Sequence, residues 1–137
     1  MPVKTAKNHF LGKDNLRKLN CAQAVINSFK EKYSINHEVV ESFHEYGGGR
    51  APEGMCGAYY AGVYALEKSA PEKLSDYERY FENLAGSVKC RQIRELKKLS
   101  CVDCVAASAE YLHSETEYTK SKLELKFRSF SRVACHR

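Results

Sequence analysis

The chain lacks the signals that mark secreted, membrane-spanning and repeat proteins. Residues 1–20 carry lysines and polar side chains but no apolar h-region, so we expect no secretory signal peptide. The longest apolar stretch, residues 58–66, is far too short to cross a bilayer. Low-complexity tracts and internal repeats are also missing. We therefore expect a cytoplasmic protein without membrane insertion.

A second group of absences concerns fold class and nucleic-acid binding. Before residue 122 no segment alternates polar and apolar residues with a period of two, so we expect no β-sheet. The net charge of +5 is spread along the chain beside acidic residues, and it forms no basic stripe. Nucleic-acid binding usually needs such a stripe, so we expect no nucleic-acid partner.

Apolar residues at spacings of three and four instead predict helices. The 137 residues fit one domain, with 43% hydrophobic residues to build its core. We predict an all-α fold, a compact single-domain bundle of about five to six helices over residues 13–122. A flexible N-terminus (1–12) and a C-terminal tail (123–137) flank it. The predicted helices are 14–33, 36–46, 55–69, a helix capped by Ser75 and broken at Gly86, 90–99 and 101–122.

A glycine-rich loop, residues 47–54, leads into the third helix. It could cradle an anion at the start of that helix. It lacks a P-loop lysine and a preceding strand, which argues against nucleotide binding. The glycines of the third helix suggest close packing of another helix or a ligand, and a homodimer is compatible with this face. The candidate cofactor-binding residues are Gly48, Gly49, Arg50 and Gly57.

Six cysteines are the most informative feature of the sequence. Thiols stay reduced in the cytosol, so metal binding or redox chemistry is the favoured reason for so many. Four of them lie at or near predicted helix starts, where the helix dipole favours a thiolate and lowers its pKa. The cysteines at or near predicted helix starts are Cys56, Cys90, Cys101 and Cys104. Of the other two, Cys21 is predicted on a helix face, and Cys135 lies in the tail.

Cys101 and Cys104 form a C-x-x-C pair, with Ser100 as the predicted N-cap and Asp103 beside it. In a reduced protein this is a vicinal dithiol or half of a metal site. The absence of strands argues against a thioredoxin-like fold, and the absence of a second C-x-x-C argues against a zinc ribbon. Buried core thiols remain the alternative, most of all for Cys104.

The order of these features resembles the C_GCAxxG_C_C family of redox-active proteins over residues 18–112. One departure is that Ala61 stands where the family motif has glycine, and Gly62 follows one residue later. The resemblance implies a small helical protein with characteristic cysteines at Cys21, Cys56, Cys90 and Cys101, and with Cys104 close by. The residues that carry it are Asn20, Cys21, Ala22, Gln23, Ala24, Val25, Gly47, Gly48, Gly49, Arg50, Cys56, Gly57, Ala58, Phe81, Gly86, Ser87, Cys90, Cys101, Val102, Asp103, Cys104 and Val105.

Two hypotheses follow. In the first, the thiols either cycle through a disulfide, as in an oxidoreductase, or ligate a metal centre such as an iron–sulfur cluster or zinc. An unidentified redox partner is then expected. Cys56 or Cys90 is the favoured reactive thiol, with Cys101 or Cys104 as its partner. In the second, the protein is a non-catalytic helical binding module with structural zinc or core cysteines. The candidate metal ligands are Cys21, Cys56, Cys90, Cys101 and Cys104.

Overall fold

The computed structural model describes the backbone of residues 2–125 and the side chains of residues 2–114. This part of the chain contains seven α-helices and three short 3-10 turns. Within it no strand forms, and Met55 and Lys89 make an isolated antiparallel bridge. The predicted all-α class is confirmed. The helices are α1 (Pro2–Leu11), α2 (Cys21–Ser28), α3 (His37–Ser42), α4 (Gly57–Ser69), α5 (Leu74–Ala85), α6 (Cys90–Leu96) and α7 (Cys101–Leu125).

Helices α2, α4 and α7 pack against one another and form the centre of the bundle. Their facing residues are mostly alanine and aliphatic, so the three backbones approach closely. Burying one large side chain such as Phe29, which is fully inaccessible, contributes about 1.5–3 kcal/mol. The central core residues are Ala22, Val25, Ile26, Phe29, Ala58, Ala61, Ala65, Leu66, Val105, Ala109 and Leu112.

Helix α1 differs from the sequence-based expectation of a flexible N-terminus. It packs against α7 and α2, with Ala6 fully buried and Val3 and Phe10 lying against the core. The segment was missed because its apolar residues are few and are separated by lysines. The observed number of helices is therefore seven in the described chain, against five to six predicted.

Helix α5 lies over α4 and α7, and a buried hydroxyl network joins the three helices. The Tyr77 hydroxyl donates to the Tyr59 carbonyl at 3.0 Å and lies 2.8 Å from the Ser108 hydroxyl. Ser108 in turn donates to the Ala58 carbonyl at 2.8 Å. A Cβ at Gly62 would collide with the Tyr77 ring, so Gly62 is what lets α5 come this close. The predicted tight packing at Gly62 is confirmed.

Several predicted boundaries are wrong. The first predicted helix begins at Cys21 rather than near residue 14, and it ends at Ser28. Helix α5 begins at Leu74 after the 3-10 turn Pro71–Lys73, so Ser75 is not its N-cap. The predicted break at Gly86 is confirmed, because this residue ends α5 with a φ of 90°.

The C-terminal region is described only in part. Residues 123–125 continue α7, and the rest of the predicted tail, including Cys135, lies outside the described residues. In the described part of the chain, no helix combines the length and the apolar character that crossing a membrane requires.

Candidate functional site

One pocket of about 400 Å³ collects all five described cysteines. It lies where the first turns of α2, α4, α6 and α7 meet. Its remaining wall is apolar apart from two cations and one hydroxyl. The lining residues are Cys21, Gly48, Cys56, Gly57, Cys90, Ile93, Arg94, Lys97, Leu99, Ser100, Cys101 and Cys104.

The starts of α4 and α6 are joined by backbone pairing. Met55 and Lys89, which directly precede Cys56 and Cys90, form the antiparallel bridge. The Cys56 amide donates to the Val88 carbonyl at 2.8 Å. Because both helices leave this paired segment, their first cysteines are held on the same side of the molecule.

The start of α2 is fixed to the glycine-rich loop by Asn20. Its side chain accepts from the Gln23 amide at 2.7 Å as the N-cap, within a capping box, and donates to the His44 carbonyl at 2.9 Å. A Cβ at Gly47 would lie 2.9 Å from Asn20 Nδ2, so glycine permits this close approach. Asn20 therefore places Cys21 beside the loop.

Gly57 brings α4 against α2 at the pocket. A Cβ there would lie 2.6 Å from the Tyr46 carbonyl oxygen and 2.8 Å from Cys21 Sγ. Any larger side chain would displace the sulfur or the Tyr46 backbone. The predicted close packing at Gly57 is thus observed, and its neighbour is a cysteine of the pocket.

Cys21 is not a helix-face residue as predicted, since it is the first residue of α2. All five described cysteines lie at helix starts. Cys56 is the N-cap of α4, and Cys90 and Cys101 are the first residues of α6 and α7. Cys104 lies one turn into α7, where its amide donates to the Ser100 carbonyl at 2.9 Å.

The expected low thiol pKa values are wrong for three of these cysteines. The pKa of Cys21 is raised to about 11, mainly by burial and to a lesser extent by the negative charge of Cys56. The amides of Gly48 and Ala58 oppose this rise without overcoming it. Burial also raises the pKa of Cys90, and the Arg94 guanidinium opposes it. Desolvation of a charged sulfur therefore outweighs the helix dipole.

Cys56 behaves in the same way for a different leading reason. A hydrogen bond with Cys104 raises its pKa well above the usual range, and burial adds to this effect. The Tyr59 and Ala58 amides favour the thiolate but are outweighed, and Cys56 makes no side-chain capping hydrogen bond to α4. The pKa of Cys56 is therefore raised although this residue lies at a helix start.

Exposure separates the two members of the C-x-x-C pair. Cys101 is exposed, whereas Cys104 is 2% exposed. Three residues apart in one helix, they lie on the same face. The predicted N-cap is confirmed, because Ser100 Oγ accepts from the Asp103 amide at 3.2 Å and Asp103 accepts from the Ser100 amide at 3.4 Å. Among the five described cysteines, Cys101 is exposed, Cys21 and Cys90 are half-buried, and Cys56 and Cys104 are buried.

Two of the four predicted cofactor-binding residues line the pocket, and the other two do not. Gly48 and Gly57 line the pocket, and the backbone of Gly49 lies against Cys90, where a Cβ would be 3.5 Å from the sulfur. Arg50 is not among the lining residues. Its Nε donates to the Gly47 carbonyl at 3.0 Å and braces the loop.

Sequence reasoning missed much of the pocket wall. Arg94 and Lys97, the second of which ends α6 with a left-handed φ of 57°, were not among the candidate residues. The apolar Ile93 and Leu99 were also missed. The cations that lie between Cys90 and Cys101 in the sequence were the available signal, but their positions do not reveal which side chains face inward.

The five predicted metal ligands all line the pocket. Among the described residues, no group of three or more histidine, cysteine or acidic side chains is arranged to hold a metal ion. The cysteines are also free rather than paired in disulfides. The arrangement can present one exposed thiol above buried ones.

Comparison with known proteins agrees with the cysteine order. Residues 19–115 match the family model C_GCAxxG_C_C, which is described as a putative redox-active protein. No curated protein and no solved structure matches the chain. The family match contains every cysteine of the pocket and covers more than half of the sequence. The chain therefore belongs to the C_GCAxxG_C_C family of redox-active proteins.

Proposed function

We propose that the protein is a thiol–disulfide redox protein in which Cys101 is the attacking thiol and Cys104 the resolving thiol. The observation that carries this proposal is the pocket itself, which holds an exposed and a buried cysteine of one helical turn. Exposure of the first thiol and protection of the second is the arrangement that disulfide exchange requires. The family match supports a cysteine-based redox role.

The reaction balances as an exchange with a disulfide-bearing substrate. The Cys101 thiol loses its proton to solvent, and the thiolate attacks one sulfur of the substrate disulfide. The substrate sulfur–sulfur bond breaks, and one half leaves as a thiolate that takes up a proton. Cys104 then loses its proton and attacks the Cys101 sulfur of the mixed disulfide, which releases the second half as a thiol. Two protein thiols are oxidised and one disulfide is reduced to two thiols.

The neighbouring cysteine gives the buried thiol a partner. Cys56 is 6% exposed and forms a hydrogen bond with Cys104. This contact helps to hold the Cys104 sulfur in place for its attack on the mixed disulfide. Cys56 is therefore a positioning residue, and Cys101 and Cys104 carry the exchange.

Quenched alkylation with mass spectrometry tests the proposal on the full chain. In the reduced protein we expect iodoacetamide to label Cys101 at least about tenfold faster than Cys56 or Cys104, since rates follow thiol exposure. After exposure to a disulfide, the peptide map should contain a Cys101–Cys104 link. Cys104→Ser should stop the reaction at the mixed disulfide, and Cys101→Ser should abolish it. Cys135→Ser, outside the family match, is the matched control.

Two results would contradict the proposal. One is that the five pocket thiols prove inert to disulfides in the folded protein, which would leave the helical binding module with core cysteines. The other is that oxidation links a pair without Cys101.

A thiolate-bound metal centre has weaker support. Five thiols around one pocket suit a soft metal, but the described residues offer no three such side chains in a ligating arrangement. Anaerobic purification with metal analysis and a visible spectrum separates the two functions. Stoichiometric iron with charge-transfer absorption, or zinc whose removal unfolds the protein, would replace the dithiol proposal.

A further inference from the structure

We infer that the pocket takes a small disulfide carrying carboxylate groups, held by Arg94 and Lys97 beside the reactive thiols. This inference rests on the proposed function and specifies its substrate. It depends on three features of the pocket, namely its size, the chemistry of its wall and the charge at its mouth.

The size of the pocket favours a small molecule. Its volume of about 400 Å³ lies within the range of small-ligand sites, about 300–1,000 Å³. The buried cysteines lie inside it, so a ligand must enter for its sulfur to meet both members of the pair. A disulfide in a folded protein substrate would have to lie on an extended loop to reach the buried cysteines of the pocket.

The apolar part of the wall suits the sulfur-containing centre of such a molecule. Ile93 is 4% exposed and Leu99 is half-buried, and both line the pocket beside the cysteines. A disulfide and its flanking methylene groups are weakly hydrated, so they can occupy this wall at little desolvation cost.

The charge at the mouth favours an anion. Arg94 and Lys97 line both the cysteine pocket and the adjoining groove, and the lining of the cysteine pocket contains no carboxylate. Within the described side chains, neither cation forms a salt bridge. Nearby Glu95, in the outer groove, lies 3.8 Å from Arg91. Two positive charges at an apolar cleft attract a negatively charged substrate.

The guanidinium also lies beside one of the thiols. Arg94 and Cys90 line the same pocket, and the Arg94 guanidinium favours the Cys90 thiolate and so opposes the rise in its pKa. A planar guanidinium can bind a carboxylate through two parallel hydrogen bonds, whereas Lys97 supplies a point charge. A carboxylate held there places the adjoining disulfide next to the thiols.

Three disulfides that differ mainly in charge test the inference. They are 3,3′-dithiodipropionate, which is a dianion, the neutral 2-hydroxyethyl disulfide, and cystamine, which is a dication. Each rate of Cys101–Cys104 oxidation is divided by the rate of the same reagent with 2-mercaptoethanol, which removes intrinsic reactivity. At low salt we expect the dianion to exceed the dication by at least about tenfold, and 0.5 M salt to reduce this ratio.

Matched variants locate the effect. Arg94→Gln and Lys97→Gln should each slow the dianion about threefold and speed the dication, because one attracting charge is lost. Opposite changes for the two reagents exclude a general loss of thiol reactivity. Lys98→Gln removes the same charge one residue away, outside the pocket lining, and should leave the ratio unchanged.

The outcomes separate this inference from the proposed function. If none of the reagents, nor a protein disulfide, oxidises the cysteine pair, the proposed function fails. If the normalised rates do not depend on charge, or only a protein disulfide reacts, the pair is redox-active and the anionic small substrate is wrong. If Lys98→Gln acts as strongly as the other two variants, the preference comes from overall charge and the pocket assignment is wrong.

Discussion

Two faces of helix α4 use glycine to bring neighbours close, but with opposite consequences. On one face, Gly62 admits the ring of Tyr77, and the hydroxyls of Tyr77 and Ser108 satisfy carbonyls in the first turn of α4. On the other face, Gly57 admits the sulfur of Cys21 at the wall of a pocket. Hydroxyl–carbonyl hydrogen bonds stabilise the contact at Gly62.

The difference shows how a small helical protein separates stability from reactivity. Thiols hydrogen-bond weakly, so the pocket face is held by backbone pairing and capping around it rather than by the sulfurs. The sulfurs can then change their covalent state while the scaffold stays fixed. Substitutions on the Tyr77 face should therefore change stability, and substitutions on the pocket face should change both stability and thiol chemistry.

Gly62→Ala should have the largest effect on stability. Alanine would stabilise an exposed helix position by about 1 kcal/mol. Here its Cβ collides with the fully buried Tyr77, so we expect a net destabilisation of about 3 kcal/mol, measured by urea unfolding. Gly57→Ala is the comparison. It should change the alkylation rate of Cys21 in the folded protein, whereas Gly62→Ala should not. Equal changes at Cys21 would contradict the separation of the two faces.

The pocket face should make stability depend on alkaline pH. The pKa of Cys21 rises from 9.0 to about 11 on folding, so the unfolded chain loses this proton first. The protonated Cys21 thiol makes its full contribution to the free energy of unfolding below pH 9. This contribution is lost as the pH rises to 11. We expect the free energy of unfolding to fall by up to about 2 kcal/mol more in the wild type than in Cys21→Ala.

Unfolding in urea at pH 8, 9, 10 and 11 provides the measurement. Taking the difference between the two proteins removes the titration of the tyrosines that both contain. Parallel pH profiles would show that Cys21 has the same pKa in the folded and unfolded states. A steeper loss in Cys21→Ala would reverse the sign of the predicted linkage.

Tyr77→Phe should reduce stability by a smaller amount on the other face. The ring stays and fills its site, while the hydroxyl that serves the Tyr59 carbonyl is lost. We expect a cost of about 1–2 kcal/mol, typical of a buried hydrogen bond. Tyr111→Phe makes the same chemical change at a half-buried residue whose hydroxyl donates to Asp76 at 2.7 Å in an exposed hydrogen bond, and it should cost less. An equal or larger cost at Tyr111 would mean that burial does not set the size of the effect.

The sequence predicted the elements that depend on local signals. The C-x-x-C pair with its Ser100 cap, the stop at Gly86 and the close packing at both helical glycines could be read from neighbouring residues. Fold class followed from periodicity, and the family match agrees with the cysteine order. Each of these features leaves its signal in a few consecutive residues, even where the contact itself is made with a distant segment.

The parts of the site that the sequence did not predict depend on contacts between distant segments. The convergence of four helix starts rests on the bridge of Met55 with Lys89 and on the reach of Asn20 to His44. Neither contact leaves a periodic pattern. The pKa directions also required burial, since position at a helix start predicts a fall and desolvation produces a rise. Arg94 and Lys97 could be assigned to the mouth only once α6 was placed.

Asn20 offers the smallest and most selective test of the comparison, because it combines two roles. Its side chain caps α2 and also donates to the His44 carbonyl, in the turn that leads into the glycine-rich loop, a bond termed the loop contact. Asn20→Ala should lose both and cost about 1 kcal/mol in urea unfolding. Asn20→Ser keeps a capping oxygen but is too short to reach His44, so it should recover most of the stability without restoring the loop contact. If the loop contact positions Cys21, both variants should change its alkylation rate alike. Recovery of the wild-type rate in Asn20→Ser would assign that role to the cap alone.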